Sequence, residues 1–297
     1  MAIIDLGDLR LQVRGYGSGP PVLLVHGLGS SGDDWAFQIG PLAQRFRLIV
    51  PDLRGCGASE ATPDGYSIAR FADDLWRLLD RLAIQQPMLV GFSLGGAVAL
   101  EMTLQRPHAV ARLVTINSLP SYRVDHWRKA LEFHVQVGMV RLFGLPRTAR
   151  LVARRLFPRP HQAAMRARVE QVVGASSPAP YLRCARALAD WCAADRLTGL
   201  TCPILMLAGE HDYTGVEEKR RWSASLRAQL RIVAGSRHGT PFDAIGACNR
   251  ALLAFLDGAP VPEQLCVDSP AQTPSAAPAL PDEVPLAEHG SAAPQHL

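Results

Sequence analysis

Val90-Gly91-Phe92-Ser93-Leu94-Gly95-Gly96 sits between two apolar runs, Met88-Leu89-Val90 before it and Ala97-Val98-Ala99-Leu100-Glu101-Met102 after it. The first run reads as a buried strand and the second as a buried helix. Gly-x-Ser-x-Gly at such a junction predicts a turn sharp enough to hold its middle residue in a strained backbone conformation. Glycines on either side let neighbouring backbone pass close by. Ser93 is thereby expected at a helix N-terminus, its hydroxyl exposed above a sheet, where the helix dipole favours developing negative charge.

Upstream, Ala2–Leu6 and Leu9–Arg14 flank Gly7-Asp8 and read as a hairpin. Pro21–Val25 is a continuous apolar run that leads into His26-Gly27-Leu28-Gly29. A run of that kind suits a strand buried on both faces, as in a parallel sheet. Helix is expected over about 34–44, strand over 46–50 and an amphipathic helix over 68–82. A further strand is expected over 110–116. Downstream, Pro203–Ala208 runs into Gly209-Glu210-His211-Asp212, and Leu230–Val233 leads to Gly235-Ser236-Arg237-His238. A closing helix is expected from about Phe242 to Leu256. Strands alternating with helices predict an α/β fold with a mostly parallel, doubly wound sheet. The loops ending at His26, Ser93, Asp212 and His238 would then share the carboxyl edge of that sheet, where such folds bind ligands.

The 297 residues divide unevenly. Residues 1–120 and 199–258 carry the alternation and predict the core. Residues 121–198 show helical patches broken by Pro and Gly and no convincing strand, which predicts an all-helical cap over the active edge. The cap holds 14 Lys/Arg against 5 Asp/Glu, although the whole chain is only +4. Residues 259–297 hold no Lys or Arg and are rich in Pro and Ala; they are expected to be a disordered acidic tail. The six cysteines form no Cys-x-x-Cys pair, so free thiols in a reducing compartment are expected. With no secretory pattern at the N-terminus and no long apolar stretch, a soluble cytoplasmic protein without membrane partners is expected.

A serine hydroxyl needs a base within hydrogen-bond reach, and the base needs an orienting acid. Chain order Ser…Asp…His goes with this turn. Ser93 is therefore assigned as nucleophile, His238 as general base and acid, and Asp212 as the carboxylate that orients His238. The backbone N–H groups of Leu94 and Leu28 are the candidates for the oxyanion hole. Glu210 and Asp243 are the alternative acids. His26 and Asp52 are read as loop-fixing residues, Cys56 as a small loop residue and Asn117 as a candidate substrate contact. Phe92, Leu119, Trp127, Phe133 and Phe143 are candidates for an apolar pocket.

Over roughly residues 1–258 the chain resembles the α/β-hydrolase family. The motifs that carry the likeness are His26-Gly27-Leu28-Gly29, Asp52-Leu53-Arg54-Gly55-Cys56-Gly57-Ala58-Ser59, Gly91-Phe92-Ser93-Leu94-Gly95-Gly96, Gly209-Glu210-His211-Asp212 and Gly235-Ser236-Arg237-His238. The set is similar to the branch with carboxylesterases, enol-lactonases, cofactor-free haloperoxidases and carbon–carbon bond hydrolases. The resemblance implies hydrolysis of an ester, lactone or thioester through an acyl-enzyme, with no metal or other cofactor. Serine at the turn separates the chain from relatives that use an aspartate nucleophile. Two departures stand out. Tyr213-Thr214-Gly215-Val216 follows the acid where the family often has a proline, and Ser236-Arg237 precedes His238 where it often has a glycine. Carbon–carbon cleavage and a non-catalytic ligand-binding role on the same fold are the alternatives.

Arg147, Arg150 and Arg154 share one helix face by their spacing, with Arg155 and Arg159 nearby. Such a patch attracts an acidic partner. The design is similar to esterases that demethylate the methyl ester of a pimeloyl-carrier protein, which implies an acidic acyl carrier protein as partner. Sparse aromatics among these charges argue against nucleic acid.

Overall fold

The computed structural model describes residues 2–269, 274 and 276–286. Nine strands form one sheet: β1 (Ala2–Asp5), β2 (Arg10–Tyr16), β3 (Pro21–Val25), β4 (Arg47–Pro51), β5 (Met88–Phe92), β6 (Arg112–Ile116), β7 (Ile204–Gly209), β8 (Gln229–Ala234) and β9 (Leu265–Cys266). Their order across the sheet is β1-β2-β4-β3-β5-β6-β7-β8-β9. Only the first two pairings, β1 with β2 and β2 with β4, are antiparallel; β4 onward is parallel.

Alternate residues of the strands feed two cores, as the period of two requires. Leu23 and Val25 of β3 face one side, with Leu75 and Leu79 of α2 (Ile68–Arg81) and Val98 and Met102 of α3 (Leu94–Gln105). Val22 and Leu24 face the other, with Ile39 and Leu42 of α1 (Ala36–Ala43). Leu252 and Phe255 of the C-terminal helix complete that second core. The helix expected over 34–44 begins later, because a tight turn over Gly32–Trp35 precedes it.

The segment between β6 and β7 contains α4 (Trp127–Leu156), α5 (Ala163–Ala175) and α6 (Pro178–Ala189). The two patches expected over 124–143 and 148–156 are one element with a break at Gly144, whose φ of 75° and ψ of 168° are not helical. Pro146 follows, and a proline cannot donate the bond that would carry a helix through this point. After β7 come α7 (Val216–Leu226) and β8, then α8 (Thr240–Asp243) and α9 (Ile245–Leu256) in place of one closing helix. No helix among the described residues is long and apolar enough to cross a membrane.

The tail departs from the expectation of disorder. Leu265 and Cys266 pair with Val233 and Ala234 as a ninth strand, and Val261 and Leu265 are buried in the second core. Farther on, Tyr16 bridges to Glu283, and Leu286 packs at the first core. The composition of the tail conceals a few apolar residues placed where the sheet edge is open, and an open edge is a template for pairing. Residues 287–297 of the expected tail lie outside the described residues.

Leu265→Ala should lower the free energy of unfolding by about 2–3 kcal/mol through lost burial and a cavity. Urea unfolding followed by circular dichroism measures it. An unchanged midpoint would mean the ninth strand adds nothing to the sheet.

Candidate active site

Ser93 joins β5 to α3 with φ 53° and ψ −116°. Its N–H donates to Ile116 O at 2.9 Å, so sheet pairing continues up to the residue itself. The turn is held by backbone against backbone. A Cβ on Gly91 would stand 2.2 Å from Gly95 O, and one on Gly95 would stand 2.1 Å from Val25 O. Both contacts are closer than any side chain permits, so only glycine admits this geometry.

The loops after β7 and β8 bring Asp212 and His238 to Ser93. His238 Nε2 lies 2.9 Å from Ser93 Oγ, and His238 Nδ1 lies 2.5 Å from Asp212 Oδ1. Asp212 is almost wholly buried, at 1% side-chain exposure. Burial pushes its carboxyl up, but His238 and Lys219 outweigh burial and hold it down to about 2. An ionised carboxylate only accepts. Nδ1 therefore carries the proton, and Nε2 is left to accept from the Ser93 hydroxyl.

Asn117 ends β6 with φ 48° and locks these loops together. Its side-chain amide donates to His238 O at 2.6 Å and to Thr240 Oγ1 at 2.7 Å, while its Oδ1 accepts from Gly209 N at 2.7 Å. These bonds correct the expectation of a substrate contact: the side chain is buried and engaged on both of its polar atoms. Asp243 is likewise a brace and not an alternative acid, since it accepts from Ser236 Oγ and Arg237 N. Glu210 accepts from Gly235 N, and His211 is exposed beside it. His26 Nε2 accepts from Leu53 N, and Asp52 accepts from Gly32 N and Ala58 N. Cys56 is packed with the buried Cys184, which together with burial pushes its thiol well up.

Three residues close to Asp212 and His238 escape a reading of the sequence. Lys219 has no side-chain exposure and its Nζ donates to Asp212 Oδ2 at 2.6 Å. It stands in Glu217-Glu218-Lys219-Arg220-Arg221, which reads as a solvated face. The available signal is its spacing of three, four and seven from Trp222, Ser223 and Leu226, which puts it on the inward side of α7. Tyr213, at the position where the family often has proline, stacks on the imidazole of His238 with centroids 4.6 Å apart. Arg155 of α4 lies 5.0 Å over the Tyr213 ring.

Ser93 and His238 open into a cavity of about 720 Å³. Its walls are mainly apolar and come from both the sheet edge and α4–α6, among them Phe92, Leu119, Phe133, Val173 and Tyr181. Trp127 and Phe143, the other two pocket candidates, are instead exposed, at 64% and 52%. Leu28 lines the same cavity. Leu94 opens α3 directly after Ser93, so its N–H is among those at a helix start with no carbonyl one turn earlier. The loop bearing Leu28 is fixed by Asp34, a buried carboxylate that accepts from Gly27 N and Ser30 Oγ.

Residues 20–243 match the family model described as alpha/beta hydrolase fold. A protein of Caulobacter sp. (strain K31) named "Putative carbamate hydrolase RutD" is 30% identical over 80% of this chain and 90% of its own length. A shorter stretch, 37% of this chain, is 42% identical to an uncharacterized protein of Mycobacterium tuberculosis, but spans about a third (32%) of that protein's length. The enol-lactonase of Burkholderia xenovorans LB400 superposes with a TM-score of 0.79 at 21% identity, over 86% of this chain and 100% of its own. A thermophilic esterase of Thermogutta terrifontis superposes with a TM-score of 0.75 at 26% identity, over 84% of this chain and 94% of its own.

The Asp212 carboxyl titrates lower in the fold than the ordinary aspartate value of 3.8. Its ionised form therefore stabilises the fold. That stabilisation is complete above about pH 4 and is lost as pH falls through about 2. The difference corresponds to roughly 2 kcal/mol. Urea unfolding of wild type and Asp212→Asn between pH 5 and 2 should show the gap closing by about that amount. Parallel pH profiles for the two proteins would refute it.

Proposed function

The chain belongs to the α/β-hydrolase fold family, and from that premise we propose that it is a serine hydrolase cleaving a carboxylic ester, lactone or thioester through an acyl-enzyme. One observation carries the reading: a single imidazole, that of His238, bridges Ser93 Oγ at 2.9 Å and Asp212 Oδ1 at 2.5 Å.

In this reading His238 Nε2 takes the Ser93 proton as Oγ attacks the carbonyl carbon. The resulting oxyanion is met by the N–H groups of Leu94 and Leu28. Asp212 stabilises the imidazolium, which then protonates the leaving alcohol or thiol as the carbon–heteroatom bond breaks. Water, deprotonated by the same Nε2, attacks the acyl-enzyme and returns Ser93 to its hydroxyl form. The same addition and elimination would serve a carbamate, the bond in the name of the 30% identical relative. A carbamate therefore belongs beside p-nitrophenyl acetate, butyrate, octanoate and dodecanoate in the first substrate panel.

Ser93→Ala should remove turnover of whichever compound is cleaved, by a factor on the order of a million. It should also abolish covalent labelling by a fluorophosphonate. Turnover that survives the substitution would reject the serine mechanism. A wild type that is labelled but cleaves no member of the panel points to a larger, carrier-linked acyl group.

A carrier-linked substrate has an observation of its own in favour. Arg147 and Arg154 are exposed on α4, and Arg150 between them reaches Glu170 at 3.6 Å. Beside these charges Leu142, Phe143 and Leu151 are also exposed, and Leu151 lines the cavity. A basic patch with an apolar lip at the pocket mouth suits an acidic acyl carrier protein delivering a tethered chain. Arg150→Glu with Arg154→Glu should cut turnover of a carrier-linked ester at least about tenfold, since a like-charge juxtaposition costs several kcal/mol. Hydrolysis of p-nitrophenyl butyrate should stay unchanged. Equal losses on both substrates, or none on either, would remove the carrier protein as partner.

A further inference from the structure

We propose that Lys219 is a positioning residue of the triad, whose buried ammonium fixes Asp212 and limits how strongly that carboxylate attracts a proton onto His238. The proposal rests on the serine-hydrolase reading of Ser93, Asp212 and His238.

The geometry divides the work of one carboxylate between its two oxygens. Oδ1 accepts from His238 Nδ1 at 2.5 Å and from Tyr213 N at 2.7 Å. Oδ2 accepts from Lys219 Nζ at 2.6 Å and from Thr214 Oγ1 at 3.2 Å. All four bonds together leave the carboxylate no freedom to rotate, so Oδ1 stays on the imidazole. Burying an ammonium costs several kcal/mol, and the position needs none for packing: a methionine of similar length would fill the same space on α7. Burial alone pulls the Lys219 amine down from its ordinary value, and the facing carboxylate is what opposes that loss of charge.

A cation on Oδ2 also changes the field at the imidazole. Asp212 favours the imidazolium, and Lys219 opposes it from the far side of the same carboxylate. Other charged or titratable groups surround the pair. Glu218 lies beside Lys219 on α7, Tyr122 follows β6, Tyr213 and Arg237 stand on the flanking loops, and Arg155 reaches in from α4. Among the charged or titratable side chains of the described residues, only those of Lys219 and His238 bond to Asp212. Two charges a few ångströms apart at an effective dielectric near 20 interact strongly enough to move a titration by about one to two pH units.

The test is the pH dependence of the rate at which a fluorophosphonate labels Ser93, which needs no knowledge of the substrate. Lys219→Met removes the charge at nearly constant length. Its acid limb should move up by about one pH unit, and its plateau rate should fall about tenfold as Asp212 loosens. Lys219→Arg keeps the charge, so its acid limb should stay at the wild-type position even if crowding slows it. Should Lys219→Met fail to fold, Lys219→Gln removes the same charge with a polar end and is read in the same way. A neutral variant whose acid limb coincides with that of wild type would overturn the proposal, leaving Lys219 a structural residue only. If wild type itself is not labelled, the serine-hydrolase reading fails first and this proposal falls with it.

Discussion

The contact between the start of α3 and the ends of β3 and β5 is the constraint on which the site depends. Gly95 rests on the Val25 carbonyl and Gly91 on the Gly95 carbonyl, with no side chain between them. That approach forces Ser93 to φ 53°, a conformation that costs a serine about 1–3 kcal/mol. The cost is offset by the strand on which it sits, where Leu89 and Val90 are fully buried and paired on both sides. Because Val25 ends β3, the same contact also sets where the Gly27–Leu28 loop leaves the sheet. Ser93 and the Gly27–Leu28 loop are thus placed by one piece of backbone packing.

Asp212 and His238 arrive on longer loops and need side-chain braces. Parallel strands deliver β7 and β8 to the same edge, but a shared edge fixes a loop only to within several ångströms. Asn117 supplies the finer registration by bonding to the end of β7 and to the His238 loop at once. Asp243 holds the residues just before His238 from the opposite direction in sequence. Buried polar networks of this kind specify one arrangement only when every member is satisfied, and here both atoms of Asn117 and both oxygens of Asp243 are engaged.

What was legible in the sequence follows the range of the forces involved. The Ser93 turn is local, and its glycines announce it. The order Ser93, Asp212, His238 and the strand ends that bear them follow from periodicity, which is also local. The braces were less legible because a polar residue near a strand end has several fates. Asn117 reads as a candidate substrate contact and Asp243 as an alternative acid, although residues of either type can also brace a loop. Lys219 was hidden because its neighbours in sequence are charged and solvated, although its partner Asp212 stands only seven residues earlier, in the loop that leads into α7. The tail misled in the same way: a composition without aromatics or cations favours disorder, yet Val261 and Leu265 suffice once an open sheet edge and a facing apolar surface are present. Composition averages over a segment, whereas burial is decided residue by residue.

The Ser93 site and the cavity beside it are built from different parts of the chain. Ser93, Asp212, His238, their braces and Asp34 all stand on the sheet edge or on loops anchored to it. The cavity walls come largely from α4, α5 and α6, and α4 packs along α5 and against α6. The break at Gly144 turns the second half of α4 so that Leu151 and Arg155 reach the cavity. Arg155 then lies over Tyr213, which lies over His238, so α4 touches His238 through one stacked ring. A change in the sequence of α4–α6 can therefore reshape the cavity while the positions of Ser93, Asp212 and His238 persist. Motifs at strand ends accordingly place Ser93, Asp212 and His238, and the walls of the cavity they open into are written in a helical layer whose residues follow no motif.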